Sequence, residues 1–156
     1  MWKLTIPGFK HLEIKYLVFD FNGSLAIDGI LMPGLREMLL NLSSDFEIHV
    51  ITADTFGQAV SQLKGIPCHL KILQGDHQAE AKRDYVSKLG SSQTIALGNG
   101  RNDRFMLRDA AVGIVVLQEE GSSSETVQAA DVVCNNIFDA LHLLTHPKRL
   151  MATLRD

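Results

Sequence analysis

The sequence predicts a three-layer, doubly wound α/β fold around a mostly parallel sheet. Short apolar, β-branched runs alternate with helix-spaced segments along the whole chain, the pattern that βαβ units produce. The runs Tyr16-Leu17-Val18-Phe19, Ile48-His49-Val50-Ile51, Thr94-Ile95-Ala96-Leu97 and Gly113-Ile114-Val115-Val116 are almost wholly apolar, as strands covered on both faces must be.

In chain order the predicted strands are 14–19, 47–51, 69–73, 94–97, 112–117 and 131–134. Each is a short run rich in Val, Ile or Leu with polar or turn residues at its ends. The predicted helices are 34–41, 57–64, 78–89, 103–109, 124–129 and 138–154, where apolar residues recur every three to four positions. Pro147 should kink or break the last of these. Residues 26–31, with Asp28-Gly29 at the turn, suit a small β-hairpin flap.

At 156 residues the chain has the size of one ordinary domain, taken as residues 1–156. The net charge of −3 and a pI near 6.0 give no reason to expect nucleic acid or an anionic membrane as partner. No apolar run approaches the length of a membrane span. Charges interrupt the amino-terminal twenty residues, so no signal-peptide core is expected there. Cys68 and Cys134 have no metal-ligand spacing and read as reduced thiols. A cytoplasmic protein is the expectation.

Ligands of such sheets bind at the carboxyl ends of the strands. Three polar clusters fall there: Asp20-Phe21-Asn22-Gly23-Ser24, Thr52-Ala53-Asp54 and Gly98-Asn99-Gly100-Arg101-Asn102-Asp103. Asp20 could serve as nucleophile, metal ligand or loop-starting cap. Gly23 permits a tight turn whose amides suit a phosphate. Thr52 could bond a phosphoryl oxygen, or simply cap local backbone. Lys82 precedes Val86 and Leu89 by four and seven residues, so it shares the face that docks on the sheet, near the helix start. Lys88 lies about 240° around the helix and should face solvent. Asn102 and Asp103 offer hard oxygens of the kind Mg²⁺ prefers, although Asp103 could be only a charge at a helix start.

These four clusters resemble the motifs of the haloacid dehalogenase-like hydrolase superfamily, over roughly residues 14–140. The likeness is nearest to its capless phosphatases and to soluble relatives of the P-type ATPase phosphorylation domain. The segments read D-F-N-G-S-L, V-I-T-A-D, A-K-R-D-Y-V-S-K-L and G-N-G-R-N-D-R-F-M-L. The resemblance implies a phosphatase with Asp20 as nucleophile, assisted by Asn22, Thr52 and Lys82. It implies a phosphate held by Asp20, Phe21, Asn22, Gly23, Thr52, Ala53 and Lys82. It also implies Mg²⁺ held by Asp20, the Asn22 carbonyl, Asn99 and Asp103. The partner would be a small phosphorylated metabolite or phosphate, and a homo-oligomer is implied because capless relatives often cover their sites that way. About 25 residues separate the first two motifs, too few for a cap domain.

Two positions depart from the motif. Asn22 stands where the phosphatases carry an aspartate that protonates the leaving group and then activates water; an amide can do neither. Asn99 replaces a metal-binding aspartate, removing one negative charge. The phosphohydrolase expectation therefore competes with a non-catalytic phospholigand- or protein-binding module of the same fold. Among the histidines, His142 and His146 share a helix face, whereas His11, His49, His69 and His77 show no mutual spacing and read as surface or strand residues.

Overall fold

The computed structural model describes residues 1–156. In chain order the elements are β1 (Trp2–Ile6), β2 (Lys10–Ile14), β3 (Tyr16–Phe19), β4 (Ala26–Ile27), β5 (Ile30–Leu31), α1 (Leu35–Leu42), β6 (Glu47–Thr52), α2 (Ala59–Gln62) and β7 (His69–Ile72). There follow α3 (Gln78–Leu89), β8 (Thr94–Gly98), α4 (Arg104–Asp109), β9 (Val112–Val116), α5 (Ser124–Ala129), β10 (Val132–Cys134), α6 (Ile137–Thr145) and α7 (Pro147–Leu154).

Six strands form one parallel sheet in the order β10-β9-β8-β3-β6-β7. The chain starts this sheet at β3, winds outward through β6 and β7, then crosses back to β8 and continues outward the other way. The reversal beside β3 opens a crevice at the strands' carboxyl ends. Alternation along β3 sends Leu17 and Phe19 to one face and Val18 to the other. On the first face they pack with α1, α2, α6 and α7 through Leu39, Ala59, Leu141 and Leu150. On the second, Val18, Ile51, Ala96 and Val115 pack with α3 and α4 through Val86, Met106 and Leu107. Apolar burial on both faces at roughly 25 cal/mol per Å² is what holds the three layers together.

The structure departs from the sequence-based expectation in three places. The strand expected from residue 14 begins at Tyr16, because Ile14 belongs to an amino-terminal hairpin, β1 paired antiparallel with β2. Its signal was the period-two alternation of Trp2, Leu4 and Ile6, whose burial rises and falls along β1. The helix expected at 57–64 is one turn, Ala59–Gln62. The helix expected at 138–154 is two: α6 ends at Thr145 and α7 begins at Pro147, whose missing N–H is harmless at a first helical position. The hairpin flap is present as β4 and β5, paired Ala26↔Leu31 and Ile27↔Ile30. Between the first two motifs it is accompanied only by α1, with no cap. No helix is long and apolar enough to cross a membrane.

Candidate active site

Asp20 follows β3 directly and is held to the sheet by its own N–H, which donates to the Leu97 carbonyl at 2.9 Å. Thr52 ends β6, and Asn99 to Asp103 follow β8. Lys82 comes from the second turn of α3 and is wholly buried, whereas Lys88 on the far side of that helix is exposed. The Lys82 Nζ donates to Asp20 Oδ1 at 2.8 Å, to Asp103 Oδ1 at 2.7 Å and, more weakly, to Asn102 Oδ1 at 3.4 Å. The Asp20 and Asn99–Asp103 clusters therefore meet at the helix lysine, and Thr52 and Ala53 line a cavity with Asp20, Asn22 and Asn99.

Two buried carboxylates sharing one ammonium leave the group one negative charge in excess. Burial and the neighbouring Asp103 charge push the Asp20 carboxyl up to about 7, against the opposing pull of Lys82. Burial by itself would lower Lys82, but Asp103 and Asp20 outweigh it and raise that ammonium above its ordinary value. Asp103 is fully engaged. Its Oδ2 accepts from the amides of Asn99 at 3.0 Å and Gly100 at 2.9 Å, and Gly98 must be glycine because a Cβ there would sit 2.5 Å from the Asp103 carboxyl carbon. Asn102 turns to Lys82 and, through Nδ2, to Gln78 Oε1 at 3.2 Å, so its side chain is directed along α3.

The loop after Asp20 is fixed from several sides. Gly23 adopts φ +81°, and a Cβ on it would collide with the Asn99 side chain, so only glycine lets the two loops approach. Its N–H is committed to the Ala26 carbonyl at 2.7 Å. The amides of Asn22 and Ala53 make no hydrogen bond within the chain, and that of Phe21 faces the Asp20 carboxylate. In this turn, then, Gly23 supplies shape, the Ser24 amide is committed to the Phe21 carbonyl at 3.2 Å, and the Asn22 amide is the free donor. Thr52 Oγ1 accepts from the Asp54 amide at 2.9 Å, which leaves its hydroxyl proton to donate elsewhere. Asp54 Oδ1 in turn accepts from the Gln58 and Ala59 amides and starts α2.

Ser24 of the first motif, together with Gly121 and Gln118 outside the motifs, buttresses the site. Ser24 Oγ donates to Asn99 Oδ1 at 3.3 Å, while Asn99 Nδ2 donates to the Gly121 carbonyl at 3.0 Å; together they set that amide's orientation. Gln118 donates through Nε2 to the Gly23 and Ser24 carbonyls at 2.7 and 2.8 Å and accepts from the Ile137 amide at 2.9 Å, pinning the turn. Its φ of +35°, shared in sign by Asp28, Asp54 and His77, is a local feature that a sequence does not display.

The residues present fit a divalent cation. Asn22 Oδ1 is buried with no hydrogen-bond partner, the Asn22 carbonyl accepts none, and Asp20 carries the uncompensated charge described above. The donors are all oxygens, as Mg²⁺ prefers. The cavity they border, about 160 Å³, is lined by Asp20, Asn22, Thr52, Ala53, Asn99 and Asn102, among others. A neighbouring cavity of about 360 Å³ shares Asn102 and carries His77, Arg101 and Arg104.

This is the fold of the haloacid dehalogenase superfamily phosphatases. A 3-deoxy-D-manno-octulosonate 8-phosphate phosphatase from Moraxella catarrhalis, whose structure holds magnesium, phosphate and KDO, superposes with a TM-score of 0.64 at 20% identity, covering 91% of this chain and 94% of that one. The cobalt-bound 8-phosphate phosphatase of Haemophilus influenzae gives 0.71 at 14% identity, over 92% and 94%. A haloalkanoate-superfamily phosphatase from Bacteroides thetaiotaomicron gives 0.64 at 13% identity, over 90% and 96%. At these identities the likeness is one of fold. In sequence, the chain is 42% identical over 87 residues to the uncharacterized protein MJ0073 of Methanocaldococcus jannaschii, a stretch covering 56% of this chain and 84% of that protein, and it belongs to the same family. No protein-family model matches the chain.

Proposed function

We propose that the protein is a Mg²⁺-dependent phosphohydrolase that acts on a small phosphorylated metabolite through an aspartyl-phosphate on Asp20. The observation that carries this reading is the Asp20–Lys82–Asp103 group, a buried carboxylate with one negative charge in excess beside a small oxygen-lined cavity. The metal would be held by Asp20, the Asn22 carbonyl and the Asn99 amide oxygen, with Asp103 behind them acting through its charge and through Lys82. Bound there, Mg²⁺ would neutralise phosphoryl charge and align the phosphorus with the carboxylate.

The chain's own residues do the rest. The Asp20 oxygen not bonded to Lys82 attacks phosphorus, and the bond to the leaving oxygen breaks. The hydroxyl of Thr52 and the amides of Phe21, Asn22 and Ala53 bind the phosphoryl oxygens. The 3.4 Å contact from Lys82 to Asn102 is its weakest, and a phosphoryl oxygen takes that place. Arg101 and Arg104 line the adjoining cavity, where both pair with Glu125 at 3.1 and 3.4 Å, and would supply positive charge on the leaving-group side. Asn22 cannot protonate the leaving oxygen or activate water, so the phosphoenzyme is made and hydrolysed slowly, the behaviour that the likeness to P-type ATPase phosphorylation domains implies. The capless mouth, with exposed Ile30 on the flap and Phe56 against Gly29, suits cover by a second copy. A cytoplasmic setting, where phosphorylated metabolites and free Cys68 and Cys134 belong, is part of the same proposal.

A screen of phosphorylated metabolites with Mg²⁺, run beside Asp20→Asn and with EDTA, tests this. Turnover that needs both Asp20 and the metal supports it. The second reading, a phospholigand-binding module, is favoured by the unpartnered Asn22 amide oxygen and the Asn99 substitution. It expects thermal stabilisation by phosphate with Mg²⁺ and no turnover on any ester.

A further inference from the structure

At the opposite end of the sheet, three side chains separate in sequence converge. Glu47 and His49 are two residues apart on β6 and so project from the same face. His69 on β7 is registered directly beside His49. Glu47 Oε1 lies 3.2 Å from His49 Nε2 and 3.3 Å from His69 Nε2, and the three atoms all lie within 4.8 Å of one another. The His49 ring is held on its other side by the Tyr85 hydroxyl of α3, 2.8 Å from Nδ1. His49 and His69 lie on strands, as the sequence reading has them; what their lack of mutual spacing hides is that parallel pairing of β6 with β7 makes them neighbours.

The two Glu47-to-imidazole distances lie at the long end of the ordinary N–H···O range, and they match the ~3.3 Å that separates two ligands of a tetrahedral metal with bonds of about 2.0–2.1 Å. We propose that Glu47, His49 and His69 form a binding site for a divalent transition metal, Zn²⁺ or Co²⁺, with the fourth position open. Two imidazole nitrogens and one carboxylate suit those ions and not Mg²⁺.

Several features around the cluster fit this use. When a metal takes the Nε2 lone pair, His49 carries its proton on Nδ1 and donates it to the Tyr85 oxygen, the outer partner that metal-bound histidines commonly have. His69 is 63% exposed in its side chain, so its ring can turn to close the remaining ligand-to-ligand gap. The largest cavity of the molecule, about 680 Å³, is bordered by Lys15, Glu47 and His69 and gives water or a small ligand access to the open position. β7 is an edge strand paired only with β6, and the metal staples it there. Tyr85 follows Lys82 by three residues on α3, so the same helix borders both ends of the sheet.

The test is titration of the chelator-stripped protein with Zn²⁺ by calorimetry and with Co²⁺ by visible absorption, both under excess Mg²⁺. One equivalent should bind at micromolar affinity or tighter, with the absorption of low-coordinate Co²⁺, and Zn²⁺ should raise Tm. His69→Ala, at an exposed side chain, and Glu47→Gln, which keeps an oxygen acceptor beside the buried His49, should weaken binding at least about tenfold and abolish the Tm rise. Asp20→Asn should leave Zn²⁺ binding unchanged. Absence of binding, equal affinity in His69→Ala and Glu47→Gln, or loss of binding in Asp20→Asn would each overturn the assignment.

Discussion

Asp20 and Asp103, 83 residues apart in sequence, hydrogen-bond the same Lys82 ammonium, at 2.8 and 2.7 Å. Lys82 is the one cation bonded to either carboxylate, and burial together with the Asp103 charge holds the Asp20 carboxyl near 7. The expectations below follow from that imbalance and from the two amides, Asn22 and Asn99, that stand beside it.

Asp20→Asn should abolish phosphate-ester turnover and stabilise the fold at pH 8. The substitution removes a buried charge whose ionisation is opposed by burial and by Asp103, while Lys82 keeps Asp103 as partner. A gain of about 1–3 kcal/mol in denaturant unfolding is expected. Loss of stability would mean that the Asp20–Lys82 pair contributes more than the repulsion costs.

Lys82→Met strands two carboxylates in the interior and should cost about 3–5 kcal/mol. Adding Asp103→Asn should recover part of that loss, because the second substitution removes one of the stranded charges. A double-mutant cycle by urea unfolding measures the coupling; additive costs would contradict the shared-ammonium account.

The metal should bind more tightly as pH rises. Burial and Asp103 raise Asp20 to about 7 in the folded chain, so below that pH a proton competes with the cation. Apparent Mg²⁺ affinity should rise about tenfold between pH 6 and pH 8, read by calorimetry. The same shift has the opposite sign for stability without metal. A carboxyl raised on folding adds stability that is fully present below its unfolded value near 3.8 and is lost as pH climbs through about 7. Metal-free protein should therefore lose this contribution between about pH 4 and pH 7, and Mg²⁺ should restore stability most at pH 8.

Asn22→Asp should raise turnover by about 10²–10⁴-fold, the usual worth of a positioned general acid and base. The Asn22 amide oxygen is already buried without a donor, so a protonated carboxyl fits the space. Unchanged steady-state rates would place the limiting step elsewhere.

Much of this arrangement was legible from the sequence, and the exceptions have physical causes. The helix over 78–89 emerged with its expected ends, because Val86 and Leu89 repeat at helical spacing from Lys82 and Gly90 stops it. Convergence of Asp20, Thr52 and Asp103 followed from strand ends, since parallel strands put all their carboxyl termini at one edge, and that of Lys82 from its place on the docking face near the start of its helix. The hairpin β1–β2 was missed because its strands are only five residues each and their charges were read only as breaking a signal-peptide core; those charges occupy the outward positions and pair across it, as Lys3 does with Glu13 at 2.8 Å. Gln118 and Ser24 act through backbone carbonyls and an amide, contacts that no spacing announces. The Glu47, His49 and His69 group depends on strand register, which a single sequence does not contain.

The most direct test of the central claim is a mass measurement. Protein mixed with Mg²⁺ and a reactive small acyl phosphate is quenched in acid and digested. The account predicts one phosphoryl group on the peptide containing Asp20, absent from Asp20→Asn and absent when EDTA is added. Unmodified Asp20 under conditions where phosphate is released from the donor, with release continuing in Asp20→Asn, would contradict it.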